Sequence, residues 1–342
     1  MLPAGTDFPL FLAPMAGVTD LIFRQLCKEQ GADILTTEFV SADGILHRNE
    51  RTQDFIAFDP ALERPLGVQL FGGDPERMAE AARAVVDWVQ PDFIDLNFGC
   101  PVNKVVSKNG GSSLLKDCPL LERVASTVVK AVAAEHPDVP VTGKIRIGWD
   151  ERSINAPQVA RILEGCGIQR VAVHGRTRAQ SYSGVANWDV IAETAASVRI
   201  PVIGNGDIAS AHDVKHRRDT SGVAGVMIGR AAMGAPWIFA QAKAFLATGE
   251  VPPEPTLPER WALIFRHCRL AVAGRRHGGE RAAMASMRAR LMAYTRGMTG
   301  GRGLRGQLSH VASVLELEDI AARHLEESGR EGYVANGLEA SV

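Results

Sequence analysis

Cys100 carries the sharpest chemical signal in the sequence, because its thiol stands between Gly99 and Pro101, three residues after Asn97. A glycine and a proline on either side restrict the path of the backbone, so a small thiol here can be aimed into a pocket. A thiol near its reference pKa of about 8.5 is mostly protonated at neutral pH and can donate a proton, whereas its thiolate is a nucleophile. The residue types therefore indicate either a general acid or a covalent nucleophile.

Three further polar side chains, Gln69, Lys144 and His174, end or follow short apolar runs. The ammonium of Lys144 could stabilise the electron-rich pyrimidine end of a reduced flavin, with Gln69 hydrogen-bonded to the same ring. A lysine in this setting could equally form a Schiff base, and Gln69 could pair with nearby backbone groups. A lone histidine such as His174 is more often structural than functional.

Two glycine-bearing segments have the composition of anion-binding loops, Gly204-Asn205-Gly206-Asp207 and Gly229-Arg230-Ala231. Glycines let backbone N–H groups approach a phosphate closely, the following helix adds its positive N-terminal end, and Arg230 adds a charged donor. Ordinary turn chemistry is the simpler interpretation of either segment alone. Together the two segments indicate a phosphate site.

Eight short apolar runs, each followed by a helix-like stretch, are the elements that would position these residues. Near-continuous apolar strands joined by helical crossovers are typical of a buried parallel sheet. Eight such strands predict an α/β fold, a closed (β/α)₈ TIM barrel, with the chemistry in the loops at the carboxyl ends of the strands. An open doubly wound sheet is the alternative, weakened because no G-x-G-x-x-G follows the first strand. The predicted strands are 10–13, 34–37, 66–70, 93–96, 141–145, 171–174, 200–203 and 225–228.

Charge is distributed unevenly along the chain. The formal net charge is only −1, yet residues 259–310 contain eleven arginines and two acidic residues, a local charge of +9. The residues before this segment and those after it each carry −5. Such asymmetry favours a polyanion-binding segment, with a solvated arginine-rich helical surface as the plain alternative.

A proline-rich stretch at 251–258 separates the basic segment from the predicted barrel domain at 1–250. Its four prolines exclude a helix or a central strand and predict a semi-rigid linker. Beyond it, apolar residues at helical spacing predict a small C-terminal all-helical domain over 259–328. The glycine-bearing residues 329–342 are expected to form a flexible tail.

Composition excludes several classes of protein. With 46% hydrophobic residues and no uninterrupted apolar run of about 18, the chain is neither disordered nor membrane-spanning. Five scattered cysteines without a C-x-x-C pair indicate neither a zinc site nor a disulfide framework. Because the N-terminus lacks the basic start and apolar core of a signal peptide, we expect a cytoplasmic protein. We also expect a monomer without metal or membrane partner.

An ordered set of short motifs resembles the tRNA-dihydrouridine synthases, most closely their bacterial B-type branch, over about residues 8–310. Any one motif would be weak, but the ordered set is highly specific. The motifs are Ala13-Pro14-Met15-Ala16-Gly17-Val18-Thr19-Asp20, Gln69-Leu70-Phe71-Gly72, Asn97-Phe98-Gly99-Cys100-Pro101, Lys108-Asn109-Gly110-Gly111-Ser112, Lys144-Ile145-Arg146-Ile147-Gly148-Trp149, His174-Gly175-Arg176-Thr177, Gly204-Asn205-Gly206-Asp207-Ile208 and Ile228-Gly229-Arg230-Ala231.

The resemblance implies an FMN-binding barrel followed by a helical tRNA-binding domain. NADPH would reduce the flavin, flavin N5 would pass a hydride to C6 of a uridine in tRNA, and Cys100 would protonate C5 to give 5,6-dihydrouridine. By similarity, the residues expected around the flavin ring are Pro14, Met15, Ala16, Gln69, Lys144 and His174. Those expected at its phosphate are Asn205, Gly206, Asp207, Gly229 and Arg230. The expected tRNA contacts are Asn97, Arg146 and Arg176, together with Arg288, Arg290 and Arg296 of the basic segment.

Two other functions share parts of this pattern. A flavin barrel acting on a free pyrimidine, similar to dihydroorotate dehydrogenase, would share the FMN and a catalytic thiol or hydroxyl near the fourth strand. Such a small substrate needs no segment of charge +9. A non-catalytic RNA-binding protein that kept the barrel would need neither Cys100 nor the flavin-binding residues.

Overall fold

The computed structural model describes residues 7–48, 50–106, 110–275 and 277–339. The chain divides into two compact units, the first comprising the residues up to Ala231 together with Ile238–Val251. The second comprises Ala232–Trp237 and the residues from Pro252 onward. Lys108 and Asn109 of one quoted motif lie outside the described residues.

All the strands described in the first unit belong to one parallel sheet. They are β1 (Leu10–Leu12), β2 (Leu35–Thr36), β3 (Val40–Ser41), β4 (Leu66–Phe71), β5 (Phe93–Phe98), β6 (Val141–Arg146), β7 (Val171–His174), β8 (Val202–Asn205) and β9 (Gly225–Ile228). They pair in the order β1-β9-β8-β7-β6-β5-β4-β2, and a parallel bridge between Phe11 and Ile34 joins β1 to the chain just before β2. This closure confirms the predicted TIM barrel and excludes the open sheet.

Helices surround the barrel and several begin at aspartate caps. Asp20, Asp74 and Asp117 each accept a backbone N–H of the first turn that follows, which satisfies a donor without an intrahelical partner. The helices are α1 (Leu21–Glu29), α2 (Ala42–Leu46), α3 (Glu50–Ile56), α4 (Pro60–Glu63), α5 (Pro75–Val89), α6 (Asn103–Val106), α7 (Cys118–Glu135), α8 (Ala156–Gly165), α9 (Trp188–Ala196), α10 (Ala211–Thr220) and α12 (Ile238–Thr248), with a 3₁₀ segment at Gly111–Lys116. Helix α11 (Arg230–Gly234) runs from the first unit into the second.

The barrel interior holds aromatic rings around a buried arginine near the amino ends of the strands, and polar side chains further along. Near the amino ends of the strands, the Arg170 guanidinium lies 5.0 Å from the ring centroid of Phe11 and 4.6 Å from that of Phe93. Further along, alternate residues of β5 and β6 face inward and are polar, beginning with Asp95 and Thr142. The polar groups therefore lie toward the carboxyl ends, where a (β/α)₈ barrel carries its site.

Four helices follow Pro252 in the described residues of the second unit, which confirms the predicted C-terminal helical region. They are α13 (Leu257–Ala273), α14 (Gly279–Tyr294), α15 (Gly301–Leu308) and α16 (Val314–Glu339). Helix α13 begins inside the range 251–258 because Thr256 and Glu259 form a capping box and Pro258 is tolerated in a first turn. Helix α16 extends through most of 329–342, the range predicted as a tail. Among the described residues, no helix is both long and apolar enough to span a membrane.

Buried polar pairs hold this helical unit together. The indole N–H of Trp261 donates to His324 Nδ1 at 3.2 Å, and His324 Nε2 lies 2.8 Å from the carbonyl oxygen of Thr299. Because Nδ1 accepts from the indole, the proton of the neutral ring is on Nε2 and is donated to that carbonyl. The pair thereby joins α13, α16 and the segment that follows α14.

Candidate active site

Cys100 lies in the loop after β5, and the backbone around it is held from two sides. The carbonyl oxygen of Cys100 accepts hydrogen bonds from both the N–H and the hydroxyl of Ser112, at 3.1 and 2.8 Å. Its thiol is 7% exposed, and burial raises its pKa above the ordinary value. The thiol is therefore protonated at neutral pH, which favours the general acid over the thiolate nucleophile.

Asn97, the last residue but one of β5, holds the backbone of this loop. Its Oδ1 accepts the backbone N–H groups of Gly99 and Cys100 at 3.0 and 2.8 Å, and its Nδ2 donates to Gln69 Oε1 at 2.8 Å. The amide of Asn97 thus links the cysteine loop to Gln69 on β4. Asn97 is 7% exposed, so these internal bonds define its role in the structure.

Lys144 lies on β6 beside Asn97, and its ammonium is the central cation of the barrel mouth. Lys144 Nζ donates to Asn205 Oδ1 at 3.2 Å, and Asn205 Nδ2 donates to the carbonyl oxygen of Met227 at 2.7 Å. Burial, reinforced by the charge of Arg146, lowers the pKa of Lys144 to about 8. The ammonium is still charged at neutral pH, but a small rise in pH removes that charge because the pKa is only about 8.

His174 ends β7 beside the same cation and is uncharged. Burial and the surrounding charges, with Lys144 and Arg146 foremost, lower its pKa to about 2. A neutral imidazole can both donate and accept one hydrogen bond. His174 is therefore suited to contacting a polar ring but not to supplying a second positive charge.

The predicted phosphate loops meet at Asp207, whose carboxylate is already paired. Arg176 Nη2 lies 2.8 Å from both carboxylate oxygens, Arg230 Nη2 lies 3.0 Å from Oδ1, and the Ala186 N–H donates to Oδ2 at 2.8 Å. These donors hold the pKa of Asp207 below its ordinary value although partial burial opposes them. A carboxylate repels phosphate, so the groups suited to an anion are the side chain of Arg230 and the backbone N–H groups of the loop.

Gly206 permits the close packing of this loop. Its φ is +127°, and a Cβ there would lie 2.7 Å from the Cβ of Ala186 and 3.2 Å from the His174 ring. Only glycine adopts this backbone conformation without strain. In the next loop, a Cβ at Gly229 would lie 3.5 Å from both Ala13 and Met15, in ordinary contact.

The loop Pro14-Met15-Ala16 after β1 is held through Thr19, which in turn is held by one partner of a buried ion pair. Thr19 Oγ1 accepts from the Met15 N–H at 2.9 Å, and Arg24 Nη1 donates to the carbonyl oxygen of Thr19 at 3.0 Å. Arg24 also pairs with Glu63 at 2.7 Å, with both side chains at most 1% exposed. Desolvation raises the pKa of Glu63, with Arg24 opposing that effect. Neither residue was predicted, and their distance in sequence leaves no motif.

Arg146 and Arg176 are almost fully buried and bind the loop after β7, and Arg146 also binds the loop that carries Cys100. Arg146 donates to the carbonyl oxygens of Gly99, Thr177 and Ser181 at 2.8 to 2.9 Å. Arg176 donates to the carbonyl oxygens of Ser183 and Gly184 at 3.1 and 2.7 Å. The two guanidinium groups therefore form the wall of the mouth.

This loop carries Tyr182, which sequence reasoning missed. The ring is 56% exposed and lies 5.3 Å from the Arg230 guanidinium carbon, 5.8 Å from that of Arg146 and 6.4 Å from the His174 ring centroid. The signal that could have identified it is an aromatic residue in the loop that follows a predicted strand. A face of this kind is suited to stacking on a planar base.

The three arginines predicted as tRNA contacts in the helical unit have different surroundings. Arg290 is buried and its Nη1 lies 3.9 Å from Met287 Sδ. Arg288 is half-buried and donates to the carbonyl oxygens of His310 and Val311. Arg296 is exposed, as is Arg302 in the next helix. Exposed guanidinium groups can reach an external polyanion without rearrangement, and Arg296 meets that requirement.

The barrel mouth fits a flavin by the chemistry of its donors. A flavin ring offers acceptors at its pyrimidine end, and Lys144 and neutral His174 are donors at this mouth. Gln69 is fully buried, and its Nε2 already donates one N–H to Asp95. Among the described residues, no group of three His, Cys, Asp or Glu side chains could hold a metal ion.

Comparisons with known proteins agree with this site. The sequence model of the dihydrouridine synthase (Dus) family matches residues 11–328. A "tRNA-dihydrouridine synthase B" of Pseudomonas syringae is 46% identical over 260 residues, which cover 75% of this chain and 74% of the relative. The Pseudomonas aeruginosa protein of the same name is 44% identical over 258 residues, covering 75% and 76%. A "Probable tRNA-dihydrouridine synthase" of Rickettsia bellii is 37% identical over 310 residues, covering 91% and 92%.

Proposed function

Because the chain belongs to the dihydrouridine synthase family, we propose that it reduces specific uridines of tRNA to 5,6-dihydrouridine, with FMN as cofactor and NADPH as reductant. It is a flavin-dependent oxidoreductase acting on tRNA. The observation that carries the finer proposal is the protonated, 7% exposed Cys100 thiol at the mouth of a barrel whose polar interior suits a flavin. An acid at this position is what the second half of a double-bond reduction requires.

The cofactor would be held by residues from several strand ends. Pro14, Met15 and Ala16 would border the ring, with Gln69, Lys144 and His174 as its polar contacts. The flavin, when bound and reduced, supplies a hydride to C6 of the uracil ring. The phosphate end would be held by Asn205, Gly206, Asp207, Gly229 and Arg230, with Asp207 contributing its backbone N–H while its carboxylate holds Arg176 and Arg230 in place.

Cys100 completes the reduction by giving its proton to C5 of the uracil. The C5=C6 double bond thereby gains one hydride and one proton, and the sulfur is left as a thiolate. The positive charges of Arg146 and Lys144, which lower the pKa of this thiol against the effect of burial, stabilise that thiolate. A proton from solvent then restores the thiol for the next turnover.

The uridine would enter beside the loop that Arg146 and Arg176 hold. Extracting a base from folded RNA costs a few kcal/mol, which contacts at the mouth must offset. Tyr182 offers an exposed face for stacking. Asn97, Arg146 and Arg176 would frame the base, since their hydrogen bonds shape the two loops that border it.

The function is tested by supplying tRNA that lacks dihydrouridine. We expect the purified protein to be yellow and, with NADPH, to form dihydrouridine in such tRNA but not from free uridine or orotate. Mapping the modification by mass spectrometry in tRNA from cells with and without the gene identifies the uridines. A colourless protein that takes up no FMN would contradict the proposal.

We place the tRNA-binding surface on the helical unit at 259–328 and expect its exposed arginines to carry it. Arg296→Glu combined with Arg302→Glu should weaken tRNA binding by roughly tenfold and reduce the slope of log K against log salt by about 1 to 2, since each phosphate contact contributes 0.7 to 0.9. Filter binding at several salt concentrations measures both quantities. Arg199→Glu, at an exposed arginine near the amino end of β8, is the matched control and should leave the slope unchanged.

An unchanged slope in the double variant would move the RNA surface elsewhere. Arg290 serves as a second comparison because it is buried. Its reversal should lower the unfolding temperature as well as binding, whereas the Arg296 and Arg302 changes should affect binding alone.

A further inference from the structure

Asp95 stands at the inner end of a continuous chain of hydrogen bonds that reaches the Cys100 loop. Its side chain is 5% exposed, and its Oδ2 accepts from Gln69 Nε2 at 2.7 Å. Gln69 Oε1 accepts from Asn97 Nδ2, and Asn97 Oδ1 accepts from the Gly99 and Cys100 N–H groups. Three side chains therefore connect the barrel interior to the backbone of the reactive cysteine.

The two ends of this chain determine how its middle is oriented. Burial raises the pKa of Asp95, but its Oδ2 accepts the hydrogen bond from Gln69, and a backbone N–H only donates hydrogen bonds. Gln69 must therefore turn its NH₂ toward Asp95 and its oxygen toward Asn97. A reversed Gln69 amide would place two acceptors together at one junction and two donors at the other, leaving buried polar groups unpaired.

We propose that Asp95 is a positioning residue, which fixes the amide of Gln69 and, through Asn97, the backbone of the Cys100 loop. The proposal rests on the proposed function only for the role of Cys100 as the acid. Asp95 touches neither reacting atoms nor the thiol, and its influence passes through Gln69. A loose loop would displace the sulfur from C5, and a displacement of about 1 Å can reduce a rate roughly 10²-fold.

Thr142 makes it possible to separate the charge of Asp95 from its hydrogen-bond polarity. Its hydroxyl donates to Asp95 Oδ1 at 2.6 Å and lies 3.4 Å from the carbonyl oxygen of Ile94. In Asp95→Asn, this hydroxyl can turn to donate to that carbonyl and accept from the new amide. The asparagine oxygen then still accepts from Gln69, so the chain keeps its direction without the charge that attracts Arg170 and Lys144.

The test compares Asp95→Asn with Asp95→Leu, which has similar size but no acceptor. Alkylation of Cys100 by iodoacetamide, followed by peptide mass spectrometry across pH 6.5–10, reports the loop directly and needs no turnover. Cys118, a partly exposed thiol at the start of α7, is the internal reference. We expect Asp95→Leu to raise the Cys100 rate about tenfold relative to Cys118 and Asp95→Asn to stay within about twofold of the parent.

Dihydrouridine formation should fall about 10- to 100-fold in Asp95→Leu and much less in Asp95→Asn. A Cys100 pH profile that does not change in Asp95→Leu, or changes only as Cys118 does, would overturn the proposal, as would equal effects of the two variants. If Asp95→Leu does not fold, Gln69→Met breaks the chain one step nearer the cysteine and should loosen Cys100 in the same way. An unaltered Cys100 profile in that variant also refutes the idea. Failure of the proposed function would show differently, as a parent protein that makes no dihydrouridine.

Discussion

Replacement of Cys100 by alanine is expected to slow dihydrouridine formation by about 10²- to 10⁴-fold, the usual contribution of a positioned general acid. Burial raises the pKa of the thiol, so the parent enzyme holds the proton that the proposed reduction delivers to C5. Reduction of the flavin by NADPH does not use this proton and should keep its rate. Stopped-flow absorbance measures the reductive step, and mass spectrometry of tRNA measures the product.

The pH dependence distinguishes a proton donor from a residue that only packs. In the parent, product formation should fall as pH rises through the raised pKa of Cys100, because only the protonated thiol can donate. Cys100→Ser should lack this decline, since a hydroxyl does not ionise in that range. Cys118→Ala, at a partly exposed cysteine outside the mouth, is the control and should behave like the parent. Full activity in Cys100→Ala would remove the thiol from the reaction.

Replacement of Lys144 by methionine is expected to weaken flavin binding about 10- to 100-fold, the usual contribution of a hydrogen bond to a charged group. The same change should abolish a pH dependence. Because the pKa of Lys144 is lowered to about 8, the ammonium is present below pH 8 and lost above it. The parent should therefore bind flavin less tightly as pH rises through about 8, and the methionine variant should show no such decline. Titration of the apoprotein, followed by flavin fluorescence, measures both affinities.

Loss of binding in this variant can be separated from misfolding. Desolvation disfavours the charged lysine in the folded chain, so Lys144 opposes folding at every pH below its unfolded pKa. This destabilisation is full below about pH 8 and shrinks to zero as pH rises from about 8 to the unfolded pKa. Lys144→Met should thus unfold at a temperature no lower than the parent. Lys130→Met on α7, an exposed lysine, should change neither property. Tight binding with its full pH dependence in Lys144→Met would assign that dependence to another group.

The barrel was predictable because its strands are short apolar runs at regular intervals, and closure follows from their number. The placement of Cys100 and Lys144 near one mouth was predictable because the strand ends of a (β/α)₈ barrel meet there, and their roles stay predictions. The role of Asp95 was not, because a single acidic residue inside an apolar run does not show which strand lies beside it. Its contact with Gln69 depends on the register of β4 and β5.

The burial of Arg290 could be predicted from its position on α14, whereas its charge alone suggests an exposed side chain. Met287, Arg290 and Tyr294 follow one another at steps of three and four, so they share one face of α14. The neighbours of Arg290 on that face are buried, and so is its side chain. Helical position, rather than residue type, separates it from the exposed Arg296.

Two buried arginines hold the loop after β7 through its carbonyl oxygens. Arg146 and Arg176 bind the main chain of Thr177, Ser181, Ser183 and Gly184, and every amino acid brings the same oxygen to those positions. Substitutions at Tyr182 or Val185 therefore change what the loop presents without dismantling how it is held. Because the uridine is proposed to enter beside this loop, we expect point mutations at its exposed positions to alter the preference among uridines while the main-chain contacts that hold the loop are retained.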